Sequence, residues 1–274
     1  MDVLQNIDLE QSELGRGTSW ALILGGSSGL GLATAKKLSE HGYHIFIVHR
    51  DRRSDIEKIE SDFEDIRKQD VQLKTFNMDA LNAEKRTKLL DEISSILSDG
   101  AKIDVLVHSI AKGSLKPMQA NANQGLTSVD IQLTFEAMAL SLYDWTKALL
   151  SKNLFALDSR IIAFTSEGNT RALPHYGAVS VAKVALEALV RNMAVEFASL
   201  GIKANCIQAG ITKTKSFEMI PGSEVIEANA LLRNPNGRLT TPEDVANVVY
   251  LLTRKEAKWI TGTVIKVDGG ESLR

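Results

Sequence analysis

Short apolar segments alternate along the chain with longer amphipathic ones. Seven segments have the length and β-branched composition of buried strands, at residues 20–24, 44–48, 71–76, 104–108, 160–164, 203–207 and 263–267. Six longer stretches have helical periodicity, at residues 29–41, 55–69, 83–98, 127–152, 176–200 and 242–253. Strands that alternate with helices indicate right-handed βαβ crossovers. The pattern predicts a doubly wound parallel α/β sheet of about seven strands with helices on both faces.

The same pattern predicts a single domain. No linker rich in proline, glycine or serine divides the chain, and its five prolines leave little room for a stiff hinge. Residues 18–274 are therefore expected to form one domain, preceded by a polar extension at residues 1–17. Residues 210–238 have weak periodicity, and an irregular segment of that length is usually functional. We expect it to form a lid.

Composition and charge exclude several classes of protein. The 32 basic residues against 34 acidic ones give a net charge of -2, which argues against a nucleic-acid-binding protein. The single cysteine, Cys206, excludes an intrachain disulfide and indicates a reducing compartment. The histidines lack metal-ligand spacing, and no apolar run reaches the ~18 residues of a membrane span. We expect a cytoplasmic protein without a metal or a membrane segment.

A glycine-rich loop follows the first predicted strand. It reads Gly25, Gly26, Ser27, Ser28, Gly29, Leu30, Gly31 and opens the next helix. Glycines at such a turn let the backbone approach a pyrophosphate, whose charge then lies at the positive end of the helix. The Gly-x3-Gly-x-Gly spacing resembles the short-chain dehydrogenase/reductase family, and the similarity runs from about residue 19 to 270. It implies a Rossmann-type domain with cofactor contacts from Gly25, Ser27, Ser28, Gly29, Leu30 and Gly31.

The end of the second strand indicates which dinucleotide is used. An acidic side chain there binds the ribose 2'-hydroxyl of NAD, whereas an arginine pairs with the 2'-phosphate of NADP. In the family's register Arg50 occupies the phosphate position, and His49 stands where NAD users often carry Asp. We therefore expect NADPH rather than NADH. Arg52 and Arg53 fit the simpler interpretation of a solvated helix start.

The resemblance implies further cofactor contacts. Asp79 resembles the family's adenine contact, although an Asp at a strand end can also cap a helix. In the segment 208–214 the usual proline is replaced by Ile211, which leaves the shape of that loop open. The remaining contacts implied by the resemblance are Ala80, Ser109, Ile110, Lys183, Thr212 and Thr214.

Tyr176 and Lys183 are the candidate reactive pair. Common members of the family carry Tyr-x3-Lys, but here Val179 holds that tyrosine position and Tyr176 lies seven residues before Lys183. Both spacings return to nearly the same helix face, while the axial separation grows from about 6 Å to about 10.5 Å. A displaced phenol suits an α,β-unsaturated thioester, in which hydride goes to C3 and charge develops on the oxygen at C1.

Tyr-x6-Lys is the spacing of the enoyl-acyl carrier protein reductase branch of this family. His108, Ser109 and Ile110 also resemble that branch, and Met138 stands where ketone reductases place a proton-relay asparagine. Ser166 replaces a tyrosine found in many enoyl reductases, as in the NADPH-using subgroup. It is expected either to bind substrate or to cap its own loop.

The resemblance implies an NADPH-dependent reductase of trans-2-enoyl-acyl carrier protein thioesters in fatty-acid synthesis, with coenzyme A as the alternative carrier. The catalytic residues expected are Tyr176, Lys183 and Ser166. A 3-ketoacyl or other carbonyl reductase and a noncatalytic NADPH-binding regulator remain the alternatives. The family's long helices further imply a homotetramer or homodimer. Phe217, Met219 and Ile220 are expected either to form an acyl-facing wall or to pack on the sheet.

Overall fold

A computed structural model describes residues 19–97, 100–120 and 124–274. The predicted extension at residues 1–17 lies outside these ranges. In the described part of the chain, seven parallel strands form one sheet in the order β3-β2-β1-β4-β5-β6-β7. The strands are β1 Ser19–Leu24, β2 His44–His49, β3 Leu73–Asn77, β4 Lys102–His108, β5 Phe155–Ser166, β6 Ile202–Ala209 and β7 Val264–Val267. The predicted doubly wound α/β fold is confirmed.

Helices connect these strands and cover both faces of the sheet. They are α1 Gly29–Glu40, α2 Ile56–Arg67, α3 Ala83–Ile96, α4 Ser128–Phe135, α5 Ser141–Ser151, α6 Gly177–Glu196, α7 Lys215–Glu218, α8 Ser223–Arg233 and α9 Pro242–Thr253. One face buries Leu90, Trp145 and Leu186, and the other buries Leu38 and Phe63. None of the helices described combines the length and hydropathy that a bilayer crossing requires.

Three predicted elements differ from the structure. The stretch 127–152 is not one α-helix, because a π-helical turn at Glu136–Leu140 separates α4 from α5. The helix predicted at 176–200 begins at Gly177, so Tyr176 is its N-cap. The segment 210–238 is not irregular, since it contains α7 and α8. Its periodicity is weak because these two helices bury little, with only Phe217 and Ala230 fully covered.

The strand order places the site. From β1 the sheet grows in both directions, through β2 on one side and β4 on the other. Connections from the carboxyl ends of β1 and β4 therefore leave toward opposite faces, and ligands of doubly wound sheets bind in the crevice this creates. The glycine loop follows β1, and Ser109 follows β4. Both predicted cofactor segments thus border the crevice.

Asp104 occupies a bulge at the amino-terminal part of β4. The β1–β4 register shifts from Trp20 opposite Ile103 to Ala21 opposite Val105, which leaves Asp104 as the extra residue. Its carboxylate accepts a hydrogen bond from the Trp20 backbone N–H at 2.8 Å. Burial nevertheless raises the pKa of Asp104 to about 6. The folded state therefore holds this proton more tightly than the unfolded chain does.

Asp104→Asn is predicted to change how stability depends on pH. Because the folded pKa is raised, the Asp104 contribution is fully present below its unfolded pKa and is lost as the pH rises through about 6. The amide oxygen of Asn still accepts from Trp20 but carries no charge, so the variant should gain on the order of 1–3 kcal/mol over wild type between pH 4 and pH 8. Urea unfolding at both pH values measures this difference. Parallel pH curves for the two proteins would contradict it.

Candidate active site

The glycine loop packs more tightly than any side chain would allow. Gly25 has a φ of +87° and Gly29 a φ of +54°, both in the left-handed region that favours glycine. A Cβ added at Gly31 would lie 2.2 Å from the Gly25 carbonyl oxygen. Helix α1 therefore begins directly against the loop, with its first N–H groups turned toward the crevice. Such a terminus binds anionic groups.

A cavity of about 660 Å³ extends from this loop along the carboxyl ends of the strands. Gly31 does not line it, because this residue packs behind the loop, and Thr212 lies in a neighbouring cavity. The structure brings together twelve of the predicted cofactor residues along this cavity: Gly25, Ser27, Ser28, Gly29, Leu30, Arg50, Asp79, Ala80, Ser109, Ile110, Lys183 and Thr214. The glycine cradle and the volume fit an elongated dinucleotide.

Arg50 and Asp79 meet at one end of this cavity. The Arg50 guanidinium contacts the Asp79 carboxylate at 2.9 Å, and its side chain is 60% exposed. The other Asp79 oxygen accepts from the Leu81 backbone N–H at 3.0 Å. Asp79 does not cap α3, whose N-cap is Asn82. The neighbouring His49 is buried and pairs with Asp51 at 2.8 Å. The accessible charge here is that of an exposed guanidinium.

Tyr176 lies where three segments converge. Its hydroxyl donates a hydrogen bond to Ser166 Oγ at 3.3 Å, and Ser166 closes β5. Ser166 Oγ also accepts from the Gly168 backbone N–H at 3.1 Å, so it caps its own loop as well as contacting the phenol. Burial raises the pKa of Tyr176, against the opposing effect of the Ser166 hydrogen bond. The phenol is therefore protonated at neutral pH and able to donate.

Lys183 is buried behind the same cavity. Its ammonium donates to the Phe164 carbonyl oxygen at 2.7 Å, and desolvation lowers its pKa to about 8. An ammonium has three protons, so two remain for acceptors in the cavity. Val179, which holds the usual tyrosine position, is a buried apolar residue of the neighbouring cavity. No phenol comes from that position.

The π-helical turn places Met138 against both cavities. Three residues later, Ser141 donates to the Ala137 carbonyl oxygen at 2.8 Å and contacts His108 Nε2 at 2.8 Å. Since the one hydroxyl proton is already used, His108 donates from Nε2 and its Nδ1 is an acceptor. Burial lowers the pKa of His108 to about 3, which keeps the ring neutral. At position 138 both cavities are therefore lined by a thioether, which carries no transferable proton.

A second cavity of about 200 Å³ adjoins the first. The two share Leu30, Met138, Ser166, Tyr176 and Thr214, so the phenol faces both. Three apolar residues are expected from the sequence either to form an acyl-facing wall or to pack on the sheet. All three line this second cavity: Phe217, Met219 and Ile220. Thr212 lies here too, with its hydroxyl donating to the Gly210 carbonyl oxygen at 2.9 Å. Phe217, Met219 and Ile220 thus form an apolar part of the wall of this cavity.

Sequence reasoning missed two groups of charged residues around the site. Glu187 accepts a hydrogen bond from the Thr165 hydroxyl at 2.6 Å and another from Asn169, which fixes the end of β5 to α6. Arg233 bridges Glu167 and Glu271 beside the second cavity. These partners are 18 to 66 residues apart in the chain, so no local pattern could reveal them.

Comparison with known proteins agrees with this geometry. A family model described as enoyl-(acyl carrier protein) reductase matches residues 25–272. A probable 2,4-dienoyl-CoA reductase of Bacillus subtilis is 28% identical over 257 residues, covering 92% of this chain and 96% of that protein. A tropinone reductase homolog of Arabidopsis thaliana is 28% identical over 254 residues, covering 91% and 90%.

Among solved structures, the NADH-dependent enoyl-acyl carrier protein reductase of Aquifex aeolicus VF5 superposes with a TM-score of 0.77 at 25% identity. The match covers 94% of this chain and 98% of that one. These relatives are all named for reductases but differ in the substrates their names describe. The chain belongs to the enoyl-(acyl carrier protein) reductase family of short-chain dehydrogenases/reductases and is an oxidoreductase.

Proposed function

We propose that this protein reduces the trans-2 double bond of enoyl-acyl carrier protein thioesters with NADPH, as a step of fatty-acid synthesis. One observation carries the proposal: Tyr176, and not residue 179, offers a half-buried phenol where the cofactor cavity meets the second cavity. Lys183 lies seven residues later, with its ammonium held beneath the same junction. The enoyl-reductase relatives support the assignment of the substrate.

The mechanism assigns a separate task to each side chain. When bound, the dinucleotide supplies the hydride that reduces C3. Tyr176 donates a hydrogen bond to the thioester oxygen, on which negative charge develops, and such a donor stabilises the transition state. Lys183 would hold the ribose hydroxyls of the bound dinucleotide with the protons not used by Phe164, and its positive charge favours the phenolate-like form of Tyr176. Met138, Val179 and Phe217 exclude water from the reacting atoms.

The preference for an enoyl substrate follows from the position of the hydroxyl. In a ketone reductase the acid must contact the oxygen attached to the carbon that receives hydride. In an enoyl thioester the oxygen lies two carbons away from that carbon. A phenol at the N-cap of α6, one helical turn before Val179, suits the longer distance.

A carbonyl reductase is the second candidate, because the Ser166 and Tyr176 hydroxyls lie 3.3 Å apart. Two hydroxyls that converge in this way can bind one carbonyl oxygen together. The tropinone reductase homolog among the relatives is named for carbonyl chemistry, which keeps this candidate open. The absence of an acidic or amide side chain at position 138 weighs against it, since Met138 cannot relay a proton.

We also infer that the active protein is a homodimer or homotetramer. The family resemblance implies that two helical segments, which begin with α4 and α6, take part in assembly. Both expose apolar side chains: Val129, Leu133, Val181, Val184 and Val195. Burial of such side chains against a second copy would remove apolar surface from water. One of these helices, α6, has Tyr176 as its N-cap, so association would also rigidify the reactive pair.

Tyr176→Phe tests the proposed function directly. With NADPH, the wild type should reduce a trans-2-enoyl thioester and leave the matching 3-ketoacyl thioester unreduced. Removing the hydroxyl should lower kcat by a factor on the order of 10² to 10⁴, since that is the usual contribution of a general acid. Tyr143→Phe, on an exposed part of α5, is the matched control and should keep wild-type turnover. Cofactor oxidation is followed by absorbance.

Two results would contradict the function. Reduction of the ketoacyl thioester in preference to the enoyl one would identify a carbonyl reductase. Binding of NADPH without turnover of either thioester would identify a noncatalytic regulator.

Arg50→Ala tests the choice of cofactor. If Arg50 pairs with the 2'-phosphate, its replacement by alanine should lower kcat/KM for NADPH by about 10- to 100-fold and change kcat/KM for NADH little. Arg52→Ala is the control, because Arg52 is exposed in the same loop and lines neither cavity. Equal losses for both cofactors would mean that Arg50 acts only through its ion pair with Asp79.

A further inference from the structure

Three charged side chains form one cluster beside the second cavity: Glu271 is buried, and Glu167 and Arg233 are half-buried. Arg233, the last residue of α8, donates two parallel hydrogen bonds to the Glu167 carboxylate, at 3.0 and 2.8 Å. It also donates to Glu271 at 2.7 Å. The other Glu271 oxygen accepts from the Ile211 backbone N–H at 3.0 Å. Bidentate pairing of this kind fixes the orientation of all three side chains.

The cluster lies on the part of the second cavity that is away from the cofactor. Glu167 and Glu271 line the second cavity but not the larger one, whereas Tyr176 and Ser166 line both. Much of the remaining wall of this cavity is apolar, with Leu115, Val179, Phe217 and Ile220 among its residues. A substrate chain that extends from Tyr176 into this cavity is therefore bounded both by apolar side chains and by fixed charges.

Such a boundary has a clear consequence for an alkyl chain. Each methylene that leaves water for the apolar part should improve binding by about fourfold. A methylene that reaches the cluster instead removes water from charges without offering them a hydrogen bond, which is unfavourable. The charges cannot withdraw, because Glu271 is 1% exposed and held on both oxygens. Chain length should therefore reverse its effect at the cluster.

We propose that the cluster of Glu167, Arg233 and Glu271 ends the acyl cavity and restricts the enzyme to short-chain enoyl thioesters. This inference rests on the proposed function and adds the length of the acyl chain to it. The cavity volume supports it, since about 200 Å³ lies below the ~300–1,000 Å³ typical of sites for drug-sized ligands. The neighbouring 660 Å³ cavity is reserved for the dinucleotide.

The first experiment uses the wild-type enzyme and a series of trans-2-enoyl thioesters with NADPH. The value of kcat/KM should rise from butenoyl to a short-chain optimum and fall by at least about tenfold at dodecenoyl, because the chain must then meet the charges. Equal or greater kcat/KM for dodecenoyl than for hexenoyl would overturn the inference while leaving the proposed function intact. If the enzyme turned over no enoyl thioester of any length, the proposed function would fail and the inference would fail with it.

The second experiment replaces the cluster by uncharged residues of similar size, as Glu167→Leu, Arg233→Met and Glu271→Gln together. Buried ion clusters often accept such replacement without loss of stability. The glutamine oxygen can still accept from Ile211. The dodecenoyl-to-hexenoyl ratio of kcat/KM should rise by about tenfold or more, because the three charges of the cluster are removed. An unchanged ratio in a folded variant that still reduces hexenoyl thioester would overturn the inference.

A matched control exists on the far side of the molecule. Arg67 of α2 pairs with Glu60 and Glu64 in a cluster of the same composition, at 2.5 and 2.6 Å. Neither cavity includes these residues. The combination Glu60→Gln, Glu64→Gln and Arg67→Met should leave the chain-length profile as in the wild type. If this control changed the chain-length profile as much as the cavity variant does, the cluster at Arg233 would have no specific role. If the cavity variant fails to fold, the chain-length profile of the wild-type enzyme still tests the inference.

Discussion

The hydrogen bond from the buried Lys183 ammonium to the Phe164 carbonyl oxygen joins the two halves of the site. A buried cation without a partner would be strongly unfavourable, so this contact is required as soon as α6 packs on β5. It fixes the position of α6, whose N-cap is Tyr176, relative to the strand that ends at Ser166. The phenol, the serine and the ammonium are thus positioned by one helix–strand contact.

The fold could be predicted from the sequence because the strands and helices of a parallel α/β sheet differ strongly in their hydrophobic patterns. All seven strands and the main crossover helices lie within a few residues of their predicted positions. Local chemistry also located the glycine loop, since Gly25 and Gly31 meet a requirement of close packing that no other residue satisfies. Patterns of this kind depend on neighbours in sequence, which is why they can be read directly.

Other features depend on neighbours in space and escaped the sequence. The π-helical turn before Ser141 replaces one α-helix by two, and the contact of Ser141 with His108 joins residues 33 positions apart in the chain. The cluster at Arg233 joins Glu167, which follows β5, to Arg233 of α8 and to Glu271 near the carboxyl end of the chain. Helix α8 buries only Ala230, so its periodicity was too weak to show a helix. Long-range charge pairs and short helices with little buried surface therefore could not be predicted from the sequence.

The two cavities divide the chemistry between them, with Tyr176 at their junction. The central claim is that this phenol faces the oxygen remote from the carbon that receives hydride. The most direct measurement uses NADPH deuterated at the transferable position with a trans-2-enoyl thioester, followed by NMR of the product. The account predicts deuterium at C3 and a solvent-derived proton at C2. Two results together would contradict it: recovery of the enoyl thioester unreduced and without deuterium, and deuterium on the carbinol carbon when a ketoacyl thioester is supplied instead.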